Sequence, residues 1–315
     1  MKKLISLSFL AIVVLTSCKK APPETTTGTT PPAARLRFVY KFDSTQTRLN
    51  NLGQVSTIPA TNKAQSPKFN GMGAHYIEMA QSDFTAVGGG TVLYVTPSVT
   101  TGITTGTFTN AIDFAQQPVK GQGEELYSVP LSQVTPGTYK WLRISLAYQN
   151  YDIRYKFTYL GVPYYFNGTI ASFIGYNTYI NSYKIKTVTI PVAANKLQGY
   201  WGFETSYTIG TVTSTTTSVG QAPAGSTTVV NPLFSSSPIP AGSCLVTGQF
   251  VNAGGSPQML TITGNETKDI IITVSLSTNN SFEWKENSGD TWYEPLAGDT
   301  VVDMGVRGMI PFIQP

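Results

Sequence analysis

Six carboxylates crowd the C-terminal end of this chain: Glu283, Glu286, Asp290, Glu294, Asp299 and Asp303. Two carboxylates about 5–10 Å apart across a groove can hydrolyse a glycoside, one as acid and one as base or nucleophile. Sequence spacing does not set that separation in a β fold. Solvated turn residues are therefore the leading reading, and a carboxylate-dependent glycoside hydrolase or lyase is the alternative. The stretch Glu286-Asn287-Ser288-Gly289-Asp290 offers oxygen ligands for Ca²⁺ but does not follow the spacing of an EF-hand loop. His75 is the single histidine, which excludes a two-histidine metal centre within one chain. There is no G-x-S-x-G elbow, no P-loop and no dinucleotide-binding glycine fingerprint. No catalytic residue, metal ligand or cofactor is assigned, and the chain reads as a non-enzyme.

Aromatic side chains are the more suggestive signal. Tyr148, Tyr151, Tyr155, Tyr159, Tyr164, Tyr165, Tyr176, Tyr179 and Tyr183 follow one another closely, and Trp284, Trp292 and Tyr293 lie near the C-terminus. An exposed Tyr/Trp platform stacks on sugar rings, while neighbouring amides fix the hydroxyls. The same alternation builds a sandwich core or a protein interface. The candidate ligand-binding set is Tyr164, Tyr165, Tyr176, Tyr179, Trp284 and Trp292. The expected function is a binding module for a glycan or a protein partner, with a structural envelope component as a third reading.

Cys18 and Cys244 are the two cysteines. Lys2 and Lys3 precede an apolar run from Leu4 to Leu15, followed by Thr16, Ser17 and Cys18. That run is shorter than the ~20 residues a membrane-spanning helix needs, and reads as a secretory signal. Its ending, Leu15-Thr16-Ser17-Cys18, resembles the lipobox of bacterial lipoproteins. The resemblance implies cleavage before Cys18, lipid such as palmitate at the new terminus, and attachment to a membrane outside the cytoplasm. The outer membrane is the expected site, with periplasmic and surface faces both open. Cys244 is then left without a partner in the chain, so a disulfide scaffold is excluded and a buried, inert thiol is expected.

Charged residues make up only 12% of the chain, and Thr, Gly, Ser, Tyr and Asn take their place. Removing Lys2 and Lys3 lowers the formal charge from +4 to +2. No basic cluster stands out, so no nucleic-acid partner is expected. Residues 1–17 read as the signal peptide, 18–35 as the lipidated cysteine and a Thr/Pro-rich disordered tether, and 36–315 as the folded domain with a candidate subdivision near 200–240.

From Leu36 onward, short apolar runs alternate with turn residues. Strands are predicted at Leu36–Tyr40, Ala74–Met79, Thr91–Val95 and Leu126–Leu131, with Gly88-Gly89-Gly90 between elements. Two period-2 runs, Trp141 to Gln149 and Tyr151 to Tyr159, are the clearest strands. In the second, Phe157 is predicted to be core and Lys156 to face water. Asn167-Gly168 predicts a hairpin turn, Pro136-Gly137 a type II turn, and Pro191 the end of the Thr187–Ile190 strand. Residues 205–230 read as a long surface excursion. Later strands are predicted at Cys244–Val251, Met259–Ile262, Ile270–Leu276 and Val301–Met304. Together they predict an all-β fold, an elaborated antiparallel β-sandwich.

Ala74-His75-Tyr76-Ile77-Glu78-Met79, and the turn Val134-Thr135-Pro136-Gly137-Thr138-Tyr139 with its following Leu142-Arg143-Ile144, resemble elements of MbnP-like lipoprotein domains. Those domains are β-sandwiches associated with copper handling. A single histidine departs from a histidine-supplied metal site, so the resemblance implies the architecture and not the copper function. The leader, the Thr/Pro tether and the Tyr-rich β domain together look like surface lipoproteins of Bacteroidota.

Overall fold

Both edges of the strand Trp141–Tyr159 are occupied, and this explains most of the architecture. Its N-terminal half lies between Lys68–Ala80 and Cys244–Gln249, and its C-terminal half pairs with Val162–Phe173. The sheet continues outward through Tyr200–Ile209 to Val212–Gln221 on one side, and through Thr91–Val95 on the other. The computed structural model describes residues 33–50, 53–99, 111–222 and 244–315. The signal peptide, Cys18 and nearly all of the tether lie outside the described residues.

A second, five-stranded sheet runs Val251–Asn252, Met309–Ile313, Ile270–Ser277, Arg35–Asp43, Glu125–Pro130. The two sheets face each other over one large apolar core. Leu36, Phe38, Tyr40, Ile272, Val274 and Leu276 come from the smaller sheet, and Met72, Ile77, Leu142, Ile144, Tyr151 and Val246 from the larger. The pairing is antiparallel except for a few joins, chiefly Arg35–Asp43 against Ile270–Ser277, which run parallel over their whole length. The described residues are nearly all β, with helical turns such as Pro295–Ala297 only one turn long. Ala33–Pro315 forms one compact unit.

The elaboration is a third layer. A four-stranded sheet containing Asn177–Lys184 and Thr189–Leu197 covers part of the outer face of the large sheet. Tyr148, Ala171 and Phe173 meet Ile180, Tyr183 and Ile185 there in a separate core. Residues on both faces of 142–151 are buried, including Arg143, Ser145 and Gln149, where sequence alternation alone predicts a wet face. The third layer covers Ala147 and Tyr148, while Arg143 donates to the Thr85 carbonyl and Gln149 lies against Gly305. Register irregularities at Ser145/Leu146, Leu146/Tyr148 and Asn150/Tyr151 change which side chains face the main core. Leu142, Ile144 and Leu146 point into it first, then Tyr151 and Ile153, so one strand serves two cores.

Several predicted turns are displaced. The hairpin turns at Leu160-Gly161, with φ of 49° and 78°, both in the left-handed region that a tight two-residue turn demands. Asn167 and Gly168 sit within the Val162–Phe173 strand, opposite Arg154 and Ile153. Gly137 has no left-handed φ; it opens the short strand Gly137–Tyr139 paired with Leu260–Ile262. The strand at Thr189 passes through Pro191 to Leu197, because Pro191 lies on an outer strand where a missing N–H is tolerated. The described part of 205–230 is no loose excursion: it completes Tyr200–Ile209 and forms Val212–Gln221, a hairpin turning at Gly210.

Candidate functional site

The C-terminal carboxylates are all engaged by their surroundings. Glu283 is buried between Arg48 (3.0 Å) and the Asn62 amide (2.6 Å). Glu286 accepts from the amides of Ser288 and Gly289 and from the Trp284 indole. Lys156 bridges Asp290 at 2.5 Å and Glu294 at 2.9 Å. Asp299 accepts from the amides of Asn287 and Glu294, and Asp303 pairs with Arg307 at 2.8 Å. Burial pushes Glu286 upward, but its hydrogen bonds outweigh that and hold it below the ordinary carboxylate range. The Lys156 hydrogen bond does the same for Asp290. A general acid needs the opposite displacement. Among the described residues no three His, Cys, Asp or Glu side chains group as metal ligands. Lys156, predicted to face water, instead anchors the 290–294 segment, with its own N–H donating to the Tyr293 carbonyl at 2.8 Å.

His75 is buried against Tyr176, with ring centroids 5.5 Å apart, and burial lowers its pKa to about 4. Burial raises the Cys244 thiol to about 12, which keeps it protonated and unreactive.

The six aromatic candidates do not form one strip. Trp284 is 1% exposed and belongs to the main core with Phe282 and Tyr293. Tyr176 is buried in a small cluster with Ile112 and Ala147. Neither presents a ring to a ligand; each is packing. Tyr179 is half-buried on the third-layer strand Asn177–Lys184. Tyr165 and Trp292 do meet, with centroids 4.6 Å apart and the Arg154 guanidinium over the indole.

Tyr164 lies on the opposite face of its strand from Tyr165, and that face carries the better surface. Phe157 and Tyr159 are parallel at 6.3 Å, as are Tyr164 and Phe166 at 6.1 Å. Across the hairpin Phe157 sits opposite Tyr164 and Tyr155 opposite Phe166, while Tyr159 sits opposite Val162. Tyr207 extends the row from the next strand, 5.4 Å from Phe166. Phe157 is thus half-buried on an aromatic shelf and is not core, because the hairpin tip extends past the main core cluster.

The shelf continues into a cavity of about 780 Å³. Ile153, Tyr155, Ile170, Trp201 and Phe203 of the large sheet form one wall; Tyr293, Val301, Met304 and Val306 of the C-terminal segment form the other. Two glycines shape the sheet wall. A β-carbon at Gly168 would collide with the Phe203 ring, and one at Gly220 would stand 2.5 Å from the Trp201 indole. Each aromatic ring thus lies over a neighbouring strand's backbone. Polar groups are few and mostly neutral: Ser172, Gln198, Ser218, Gln221, Thr300 and Asp303. Gln198 donates its amide to the Ile174 carbonyl (2.8 Å) and Gln221 to the Gln198 carbonyl (2.7 Å).

Trp201 and Phe203 were not among the sequence candidates. Their signal is the alternation Trp201, Phe203, Thr205, Tyr207, which a boundary placed at 205 cuts in half. No family model matches this chain, and no curated protein or solved structure is found to match it either.

Proposed function

We propose that this chain is a non-enzymatic, lipid-anchored extracytoplasmic binding module, and that a glycan is its partner at the hairpin tip. The observation that supports this most is the shelf of parallel rings at Phe157/Tyr159 and Tyr164/Phe166, half-exposed and uncharged on that face. Apolar ring faces suit the C–H faces of sugars, and the phenol groups of Tyr159, Tyr164 and Tyr207 supply hydroxyls at the same level. The engaged carboxylates count against the hydrolase reading. The anchor rests on the Cys18 sequence pattern; no helix among the described residues is long and apolar enough to cross a membrane.

A protein partner is the second reading, favoured by Val212–Gln221. Among the described residues this strand pairs only with Tyr200–Ile209, and it carries no charged residue along its free edge. Such an edge accepts an added strand.

A glycan array with the folded protein tests the first reading. Binding that Tyr164→Ala abolishes, with an unchanged melting temperature, supports it; a blank array overturns it. For the anchor, Cys18→Ala is expected to leave the membrane fraction or to accumulate as unprocessed precursor. A variant still matured and membrane-bound refutes lipidation.

A further inference from the structure

We infer that the cavity between the large sheet and the C-terminal segment is a second binding site, for a neutral, largely apolar molecule that carries a hydroxyl group. This rests on the binding-module reading but uses a different surface from the shelf.

Size and lining come first. At about 780 Å³ the space is that of a small-molecule site, and its walls are mainly apolar and aromatic. Water filling such a space gives up hydrogen bonds that an apolar ligand does not need, so exchange favours the ligand.

Charge decides the class. The one carboxylate among the residues lining the wall is Asp303, whose Oδ2 is paired with Arg307 at 2.8 Å. Arg307 does not line the cavity and also donates to the Ser281 carbonyl, so no cation is available to hold a carboxylate or phosphate. An anionic ligand would meet an unpaired desolvation cost there.

The remaining polar groups choose a hydrogen-bond donor. Gln198 and Gln221 each commit one amide N–H to a backbone carbonyl, which turns that nitrogen toward the backbone, and their side-chain carbonyls can accept. The second oxygen of Asp303 is buried with no hydrogen-bond partner. That oxygen takes a ligand that donates, and a hydroxyl donates without bringing charge.

The test uses the compact unit Ala33–Pro315, which contains the whole of the described core, and the neutral fluorophore N-phenyl-1-naphthylamine. Saturable fluorescence enhancement is expected, and dodecanol should displace the probe at a concentration about tenfold or more below that needed for dodecanoate. Ser218→Trp, at an exposed position on the wall, and Ile170→Trp, within it, should each weaken probe binding without loss of the melting transition. Folded protein that takes up no probe overturns the site. Equal displacement by alcohol and carboxylate overturns the ligand class. Two folded Trp variants that bind like wild type place the probe elsewhere and overturn the location. Tyr164→Ala should leave probe binding intact, so a failed glycan screen and a failed cavity are separate results.

Discussion

Phe203 stands over Gly168, filling the space where any other residue would carry its β-carbon. The two are diagonal neighbours across paired strands, Gly168 opposite Thr205 and Phe203 opposite Ile170, and the ring gains its position only because the neighbouring strand has no side chain there. Gly168→Ala is expected to destabilise the fold by about 1–3 kcal/mol through overpacking. In a Phe203→Ala background the same change should cost less than about 0.5 kcal/mol. Urea unfolding of the four proteins of this cycle measures the coupling, and additive effects would show that ring and glycine are independent.

His75 makes stability depend on pH. Its folded pKa of about 4 lies below the ordinary 6.5, because burial disfavours the charged ring. The unfolded chain therefore binds the proton more readily. The contribution is complete above pH 6.5 and is lost as pH falls toward 4, by up to about 3 kcal/mol. His75→Gln should flatten the stability profile between those values. A wild-type profile already flat there would contradict this assignment.

Arg48 and Glu283 form a buried pair at 3.0 Å, and Arg48 also donates to the carbonyls of Asn279 and Asn280. Arg48→Met leaves Glu283 buried with only the Asn62 amide, and should cost about 3–5 kcal/mol. Chemical denaturation at pH 7 checks this. The double variant Arg48→Met, Glu283→Leu should recover part of the loss, since it removes the orphaned charge.

Within the central strand, two aromatic truncations should separate core from shelf. Tyr151 is fully buried, and Tyr151→Ala should cost about 3–5 kcal/mol. Phe157 is half-buried, and Phe157→Ala should cost about 1–2 kcal/mol while impairing the proposed glycan binding. Lys156→Ala should lower the melting temperature more than Lys186→Ala. It strands the buried Glu294, whereas Lys186 reaches only Asp152 at 3.5 Å from an exposed position. Equal thermal shifts would show that the Lys156 bridge is not structural.

The strands were legible where one face meets water. The opening strand, with Leu36, Phe38 and Tyr40 buried between half-exposed neighbours, follows directly from period-2 alternation. What was not legible is long-range. Alternation in 142–151 does not reveal that distant segments cover its polar residues, Thr85 over Arg143 and Gly305 over Gln149, so both read as wet. Asn167-Gly168 has the composition of a tight turn, yet its glycine serves the approach of Phe203 from a strand more than thirty residues later. The true turn, Leu160-Gly161, carries a leucine at positive φ, and local chemistry disfavours that choice. Trp284 and Trp292, eight positions apart, resemble each other in sequence but differ in fate, because only the first faces Phe282 and Tyr293. The cavity was hidden because its two walls come from distant parts of the chain.

The parallel pairing of Arg35–Asp43 with Ile270–Ser277 has a consequence for how the molecule is made. Arg35 donates to Asp269 across 234 positions of sequence, so the opening strand waits for nearly the last one. Such high contact order slows folding, since a long loop must close before its contacts repay the entropy. Until Ile270–Ser277 is available, the earlier strands have open edges and no closed core. The chain should therefore stay open to aggregation until residue 277 is in place, and a refolding trace should be slow and single-phased at its final step.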